Sequence, residues 1–184
     1  MQYKKGERMA KKIKIYLKFV SDILEIVLIL FALSWFIRTY FFQPYEITDN
    51  TMSPTIQTGD KVCIKTFNKE SSFTRGSILI VSNNKQLTAK RVIGLPGDAI
   101  EIKNQYIYVN NQLIYEKYVV ESMKDTFGPI TVPENQIFLL NDDRKDRADS
   151  RTLGCFSVKS IYGRVVVEYY PIKEFQVFFG FLDI

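Results

Sequence analysis

The sequence predicts a mainly β domain, barrel-like or built on folded sheets, preceded by one transmembrane helix. Three observations carry that expectation. Residues 20–42 form a long apolar run, the periodicity changes from helical to strand-like after Pro44, and short apolar segments then alternate with Gly, Pro and Asn turns. A chain of 184 residues has room for one ordinary domain and an appendage, and 46% apolar residues supply a packed core.

The apolar run reads VSDILEIVLILFALSWFIRTYFF, and its central residues 26–37 are broken only by Ser34. About 20 such residues cross roughly 30 Å of hydrocarbon as a helix. Asp22, Glu25 and Arg38 lie near the ends, where charged side chains reach the interface, and Trp35 and Tyr40 suit an aromatic belt. A cleaved signal peptide would need small residues after the run, but Arg38-Thr-Tyr-Phe-Phe-Gln-Pro follows. The segment therefore reads as an uncleaved signal anchor. The expected organisation is a basic cytoplasmic tail (1–19), the anchor (20–42) and an extracytoplasmic β-rich domain (43–184), with the lipid bilayer as a partner.

Within the domain, strands are expected over residues 61–67, 77–81, 88–93, 99–103, 105–109, 112–115, 136–140 and 161–170. Turns are expected at Asn83-Asn84, at Gly94-Leu-Pro-Gly97 and at Asn110-Asn111, the last suited to a type I′ hairpin.

The net charge of +5 would fit nucleic-acid binding if it were spread over the domain. It is not. Residues 1–18 hold seven basic residues and one acid, which leaves 18 basic and 19 acidic residues for the rest. With no basic stripe there, nucleic acid is not an expected partner. The chain has no histidine, which excludes a Ser-His-Asp triad, a Cys-His pair and any His-containing zinc site. A hydrolase of this composition must use carboxylates, or a hydroxyl activated by lysine. Cys63 and Cys155 either pair or stand apart as core residues, and the sequence leaves both open.

Three segments concentrate functional residue types: Thr48-Asp-Asn-Thr-Met-Ser-Pro-Thr55, Lys90-Arg-Val-Ile-Gly-Leu-Pro-Gly-Asp98 and Asn141-Asp-Asp-Arg-Lys-Asp-Arg-Ala-Asp-Ser-Arg151. Singly, they read as a polar loop, a turn and a solvated charge run. In this order behind an anchor, they resemble the type I signal peptidase family. That family shows Ser-Met-x-Pro-Thr, then Lys-Arg-x-x-Gly-x-Pro-Gly-Asp, then Gly-Asp-Asn-Arg-x-x-Ser-x-Asp-Ser-Arg. Smaller matches are Arg75-Gly76, Tyr108-Val-Asn110, Pro133-Glu134 and Gly163-Arg-Val165.

The resemblance implies a membrane endopeptidase that removes signal peptides from exported preproteins, without cofactor or metal. A hydroxyl attacks the scissile carbonyl and a lysine, kept neutral by burial, takes its proton. Carried over by position, Thr51 falls on the nucleophile, Lys90 on the general base, and Asp49 with Thr51 on the oxyanion hole. Arg147 falls on the lysine-orienting position, and Asp149 and Arg151 on a structural ion pair. The site departs from the family at five positions. Thr51 and Arg147 replace serines, Asp49 replaces a small or hydroxyl residue, and Asn141 and Asp143 replace the Gly and Asn of Gly-Asp-Asn-Arg. The resemblance thus implies two alternatives, a Thr-Lys endopeptidase or a non-catalytic accessory protein for surface-pilus assembly in Gram-positive bacteria. In the first the partner is a preprotein signal peptide; in the second it is the signal-peptide region of a pilin.

Overall fold

The structure is a computed structural model that describes residues 2–40, 43–66, 73–83, 86–119, 123–124 and 126–178. It comprises two units, Met1–Phe41 and Phe42–Ile184.

The first unit is a single helix, α1 (Gln2–Tyr40), of 39 residues. Leu, Ile, Val, Phe and Ala fill its centre, and no Pro or Gly interrupts it beyond Gly6. The segment Lys12–Phe36 has a mean hydropathy of 2.1 over its most apolar stretch, long and apolar enough to cross a membrane. The helix also continues through the basic tail, which the sequence reading had set apart. Helix propensity explains this, because Lys, Arg, Glu, Met and Ala all sustain a helix once one has formed. The last residues of the expected anchor, Phe41 and Phe42, lie outside the described residues.

The second unit is built from antiparallel strands: β1 (Gln43–Glu46), β2 (Lys61–Thr66), β3 (Ile78–Asn83), β4 (Gln86–Gly94), β5 (Ala99–Lys103), β6 (Tyr106–Val109), β7 (Gln112–Ile114), β8 (Phe127–Thr131), β9 (Gln136–Leu140), β10 (Phe156–Ser157), β11 (Ile161–Tyr170) and β12 (Gln176–Val177). A large sheet has the order β1-β2-β11-β3-β4-β9-β10, with β12 added on β11. A smaller sheet has the order β7-β6-β5-β8. The turn predicted at Asn110-Asn111 joins β6 to β7 with φ of 53° and 66° at its two residues, as a type I′ turn requires. The turn expected at Asn83-Asn84 reaches outside the described residues.

Four strands escaped the sequence reading: β10 and β12, two residues each and too short to show a period, and β1 and β8, each of which contains proline. Pro44 sits in β1 and Pro129 in β8, and both strands lie at sheet edges, where a missing N–H costs no ladder bond.

The large sheet is covered on both faces. Alternate residues of β3 go to different clusters, Ile78 and Ile80 with Ile47, Met52 and Ile56, and Leu79 and Val81 with Val92, Ile137 and Leu139. A continuous apolar run is what such a doubly buried strand needs. The small sheet closes a third cluster around Ile93, Ile100, Ile102, Phe138 and Leu140. Gly94 permits the junction, since a Cβ there would lie 2.7 Å from Ile100 Cδ1.

Candidate functional site

Sheet register brings the second and third motifs together. Arg91 of β4 pairs with Leu140 of β9, so the next step of the ladder sets Lys90 beside Asn141. The side chain of Lys90 is enclosed, and the residue is 2% exposed. Its Nζ donates to Asn141 Oδ1 at 2.7 Å and to the Ala148 carbonyl at 2.6 Å. The Phe156 ring lies 6.0 Å away and closes one side. Burial pushes the Lys90 ammonium below its ordinary pKa, against the opposing pull of Asp149, Asp146 and Asp49. A lysine meant to act as a base needs that direction of shift.

The first motif is a turn-rich loop between β1 and β2. Its base is closed by Ile47 N–H to the Asp60 carbonyl at 2.9 Å and Gly59 N–H to the Ile47 carbonyl at 2.8 Å. Met52 and Ile56 are fully buried in the core below, which fixes the intervening backbone and points Thr51 inward. The Thr51 hydroxyl lies 3.1 Å from the carbonyl of Ala89, the residue preceding Lys90. It lies nearer, 2.5 Å, to Oδ1 of Asp49, which also accepts the Thr51 backbone N–H at 3.0 Å. A hydroxyl has one proton to give, and the shorter contact with a carboxylate is the stronger. Asp49 thus sits on both polar groups of Thr51.

The third motif is held by ion pairs that shape the loop rather than face solvent. Asp149 caps α2 (Ser150–Leu153) through Arg151 N–H and also accepts the Asn141 N–H at 3.2 Å. Asp149 and Arg151 form an ion pair at 2.7 Å, with both side chains fully buried. Arg151 donates further to the carbonyls of Arg144 and Asp146, which curls the loop around it. Arg147 is exposed on that loop, and the hydrogen bonds that hold Lys90 come from Asn141 and Ala148. Asn141 was visible in the sequence as a departure from glycine, but its role was not. The signal was its side-chain carbonyl, an acceptor where glycine has none.

Other positioning residues went unnoticed. Arg91 grips Asp142 through two hydrogen bonds and stacks 3.7 Å over the Tyr118 ring. Thr55 donates to the same Asp142 at 2.6 Å, and the Thr51 carbonyl accepts Asp143 N–H at 3.1 Å. These bonds tie all three motifs into one body. Arg144 pairs with Glu116 at 2.7 Å, buried beneath the loop. Cys63 and Cys155 are both free thiols, half-buried, each with its pKa raised by burial.

Known proteins are similar to this chain over most of its length. Signal peptidase I S of Bacillus subtilis (strain 168) is 32% identical over 185 residues, covering 94% of this chain and 98% of that protein. Signal peptidase I P of Bacillus subtilis subsp. natto is 34% identical, covering 85% of this chain and 92% of its own length. A crystal structure of signal peptidase I from Enterococcus faecalis V583 is 29% identical, with a TM-score of 0.47, covering 51% of this chain and 97% of that one. The family model described as signal peptidase, peptidase S26, matches residues 20–170, from the apolar helix to the end of β11. The chain therefore belongs to the signal peptidase I family.

Proposed function

We propose that this protein is a membrane-anchored endopeptidase that cleaves signal peptides from exported preproteins, with Thr51 as nucleophile and Lys90 as general base. The observation that carries the reading is the enclosure of Lys90 beside the Thr51 loop. The amine is buried, its pKa is lowered, and the Thr51 hydroxyl lies 3.1 Å from the backbone carbonyl of Ala89, the residue before Lys90. In the step that follows, Thr51 Oγ1 attacks the scissile carbonyl carbon while its proton passes to neutral Lys90. The resulting ammonium returns that proton to the departing amine, leaving an ester on Thr51. Water, deprotonated by the same lysine, then hydrolyses the ester. The seven lysines and arginines of the basic tail support a cytoplasmic N-terminus with the β domain on the other side.

A second reading is favoured by Asp49. The N–H of a nucleophilic residue is an ordinary donor to the oxyanion of a tetrahedral intermediate, and here Asp49 Oδ1 already accepts it. A carboxylate at that position opposes developing negative charge. Such a site suits a non-catalytic protein that binds a pilin signal-peptide region during pilus assembly.

One experiment separates the two. The full chain in detergent is incubated with an Ala-x-Ala precursor peptide and the products are weighed by mass spectrometry. Cleavage that disappears in Lys90→Ala supports the peptidase. Inert wild type, with cleavage appearing in the Asp49→Ser/Thr51→Ser/Arg147→Ser variant, supports the binding protein. An inert but folded triple variant would sink the idea that these three positions decide activity.

A further inference from the structure

Three carboxylates outside the Thr51–Lys90 pair converge where the first loop ends. Asp60 closes that loop, Glu168 lies on β11, and Glu174 ends the short 3-10 turn Ile172–Glu174. The topology explains their meeting. The β11–β2 register sets Glu168 opposite Val62, two residues beyond Asp60. The turn after Pro171 then folds Glu174 back, with its N–H bonded to the Pro171 carbonyl at 2.9 Å. One carboxylate oxygen from each residue lies within 4.8 Å of the other two. Asp60 is 5% exposed and Glu168 is 1% exposed, while Glu174 opens to solvent.

This grouping lacks compensation. Among the described residues, no lysine or arginine forms an ion pair with any of the three. Lys61, the adjacent cation, instead places its Nζ 5.4 Å from the Tyr170 ring centroid. Asp60 Oδ2 accepts the Gln57 N–H at 2.6 Å. Glu168 Oε1 is buried without any hydrogen-bond partner. An orphaned carboxylate oxygen at that depth is costly unless something positive meets it. Burial first, then the charge and hydrogen bond of Asp60 and the charge of Glu174, raise the Glu168 carboxyl to about 7. A proton shared between Asp60 and Glu168 would ease part of that repulsion. Such a proton, between two carboxyl groups within hydrogen-bonding reach, would give Glu174 no part.

We propose that Asp60, Glu168 and Glu174 form a binding site for one hard divalent cation, best fitted by Ca²⁺. The donors are all oxygen, with neither thiolate nor imidazole near, which disfavours zinc and copper. Oxygens within 4.8 Å of one another need only small side-chain shifts to share a centre at the roughly 2.3–2.6 Å of Ca²⁺–oxygen bonds. The solvent-facing side at Glu174 leaves room for the waters that complete the shell. The sequence reading expected no metal, from the absence of histidine and the family resemblance, and these three residues, scattered over more than a hundred positions, form no motif. The ion has no part in the chemistry at Thr51. It ties the end of the Thr51 loop to β11 and to the turn beyond it.

The test uses the full chain in detergent, stripped with chelator and titrated with CaCl2, with thermal unfolding and calorimetric heat as readouts. A saturable rise in Tm is expected, with half-saturation at about 10⁻⁴–10⁻³ M, the range of extracellular calcium modules. Glu174→Gln should weaken the response at least tenfold. Glu168→Gln should abolish it, with a Tm in chelator no lower than that of wild type, because a repulsive charge has gone. Glu174 is exposed, so its variant keeps the test valid should Glu168→Gln fail to fold. No Tm change and no heat with wild type would overturn the site in favour of the shared proton. A calcium response undiminished in both variants would overturn it too, by placing the ion elsewhere.

Discussion

Oδ1 of Asp49 lies 2.5 Å from the hydroxyl of Thr51 and 3.0 Å from its backbone nitrogen, so one carboxylate oxygen engages both groups that a peptidase would use. Catalysis at Thr51 requires the hydroxyl to turn towards the substrate and the N–H to become free. Two of the family's small-residue positions, 49 and 147, carry charge in this chain.

Replacing that carboxylate should release both donors. Asp49→Ser is expected to raise the kcat for an Ala-x-Ala precursor by at least about tenfold, since a single oxyanion donor is worth about 10²–10³ in rate. Single-turnover kinetics checks this. An unchanged rate with intact binding would mean that Asp49 moves aside by itself.

Lys90 gives a pH signature. Its pKa is lowered in the folded state by burial, so cleavage should rise with pH through that lowered value and be lost in Lys90→Met. Stability follows the same sign. Between the lowered folded pKa and the unfolded value near about 10.4, the unfolded chain binds more protons, so stability rises with pH. Thermal unfolding across the alkaline range should show this rise in wild type and not in Lys90→Met.

Asn141 should act through Lys90. Asn141→Gly removes the acceptor at 2.7 Å from Nζ and is expected to lower kcat about tenfold with little change in KM, the pattern of a lost transition-state contribution. Adding Arg147→Ser to that variant restores a hydroxyl acceptor on the loop and should recover most of the rate. Rescue would set a positioning role apart from a merely structural one.

The β elements were legible in the sequence because their signals are local. Alternation and apolar runs located β5, β9 and β11 to the residue. The edge strands β1 and β8 were not legible, because Pro44 and Pro129 argue against a strand unless the edge position is known. The candidate site was legible as three motifs. What could not be read was which atoms meet. The bonds of Lys90 to Asn141 and Ala148, and of Arg91 to Asp142, span 51 or more positions and depend on the β4–β9 register. The hold of Asp49 on Thr51 spans only two residues, yet it depends on the backbone of a loop with no periodicity to betray it.

The loop ion pairs should dominate stability. Arg151→Met leaves Asp149 buried without its partner and is expected to destabilise the domain by about 3–5 kcal/mol. Denaturant unfolding measures it. The double variant Asp149→Asn/Arg151→Met should recover part of the loss, because no isolated charge remains.

Cys63 sits on β2 and Cys155 packs against the small-sheet cluster, both as thiols. Labelling after denaturation without reductant should therefore add two alkyl groups per chain, and reductant should leave Tm unchanged. A mass consistent with no labelling would reveal a disulfide.

The placement of β11 has a consequence for biosynthesis. This strand is hydrogen-bonded between β2 and β3, although it is made long after both. A ribosome adding about 5–20 residues per second needs several seconds to translate the roughly 80 residues that separate β3 from β11. During that interval β2 and β3 lack the strand that joins them, and the apolar residues of β3 await cover. The nascent chain therefore carries Thr51 and Lys90 for seconds before the sheet beneath them is complete.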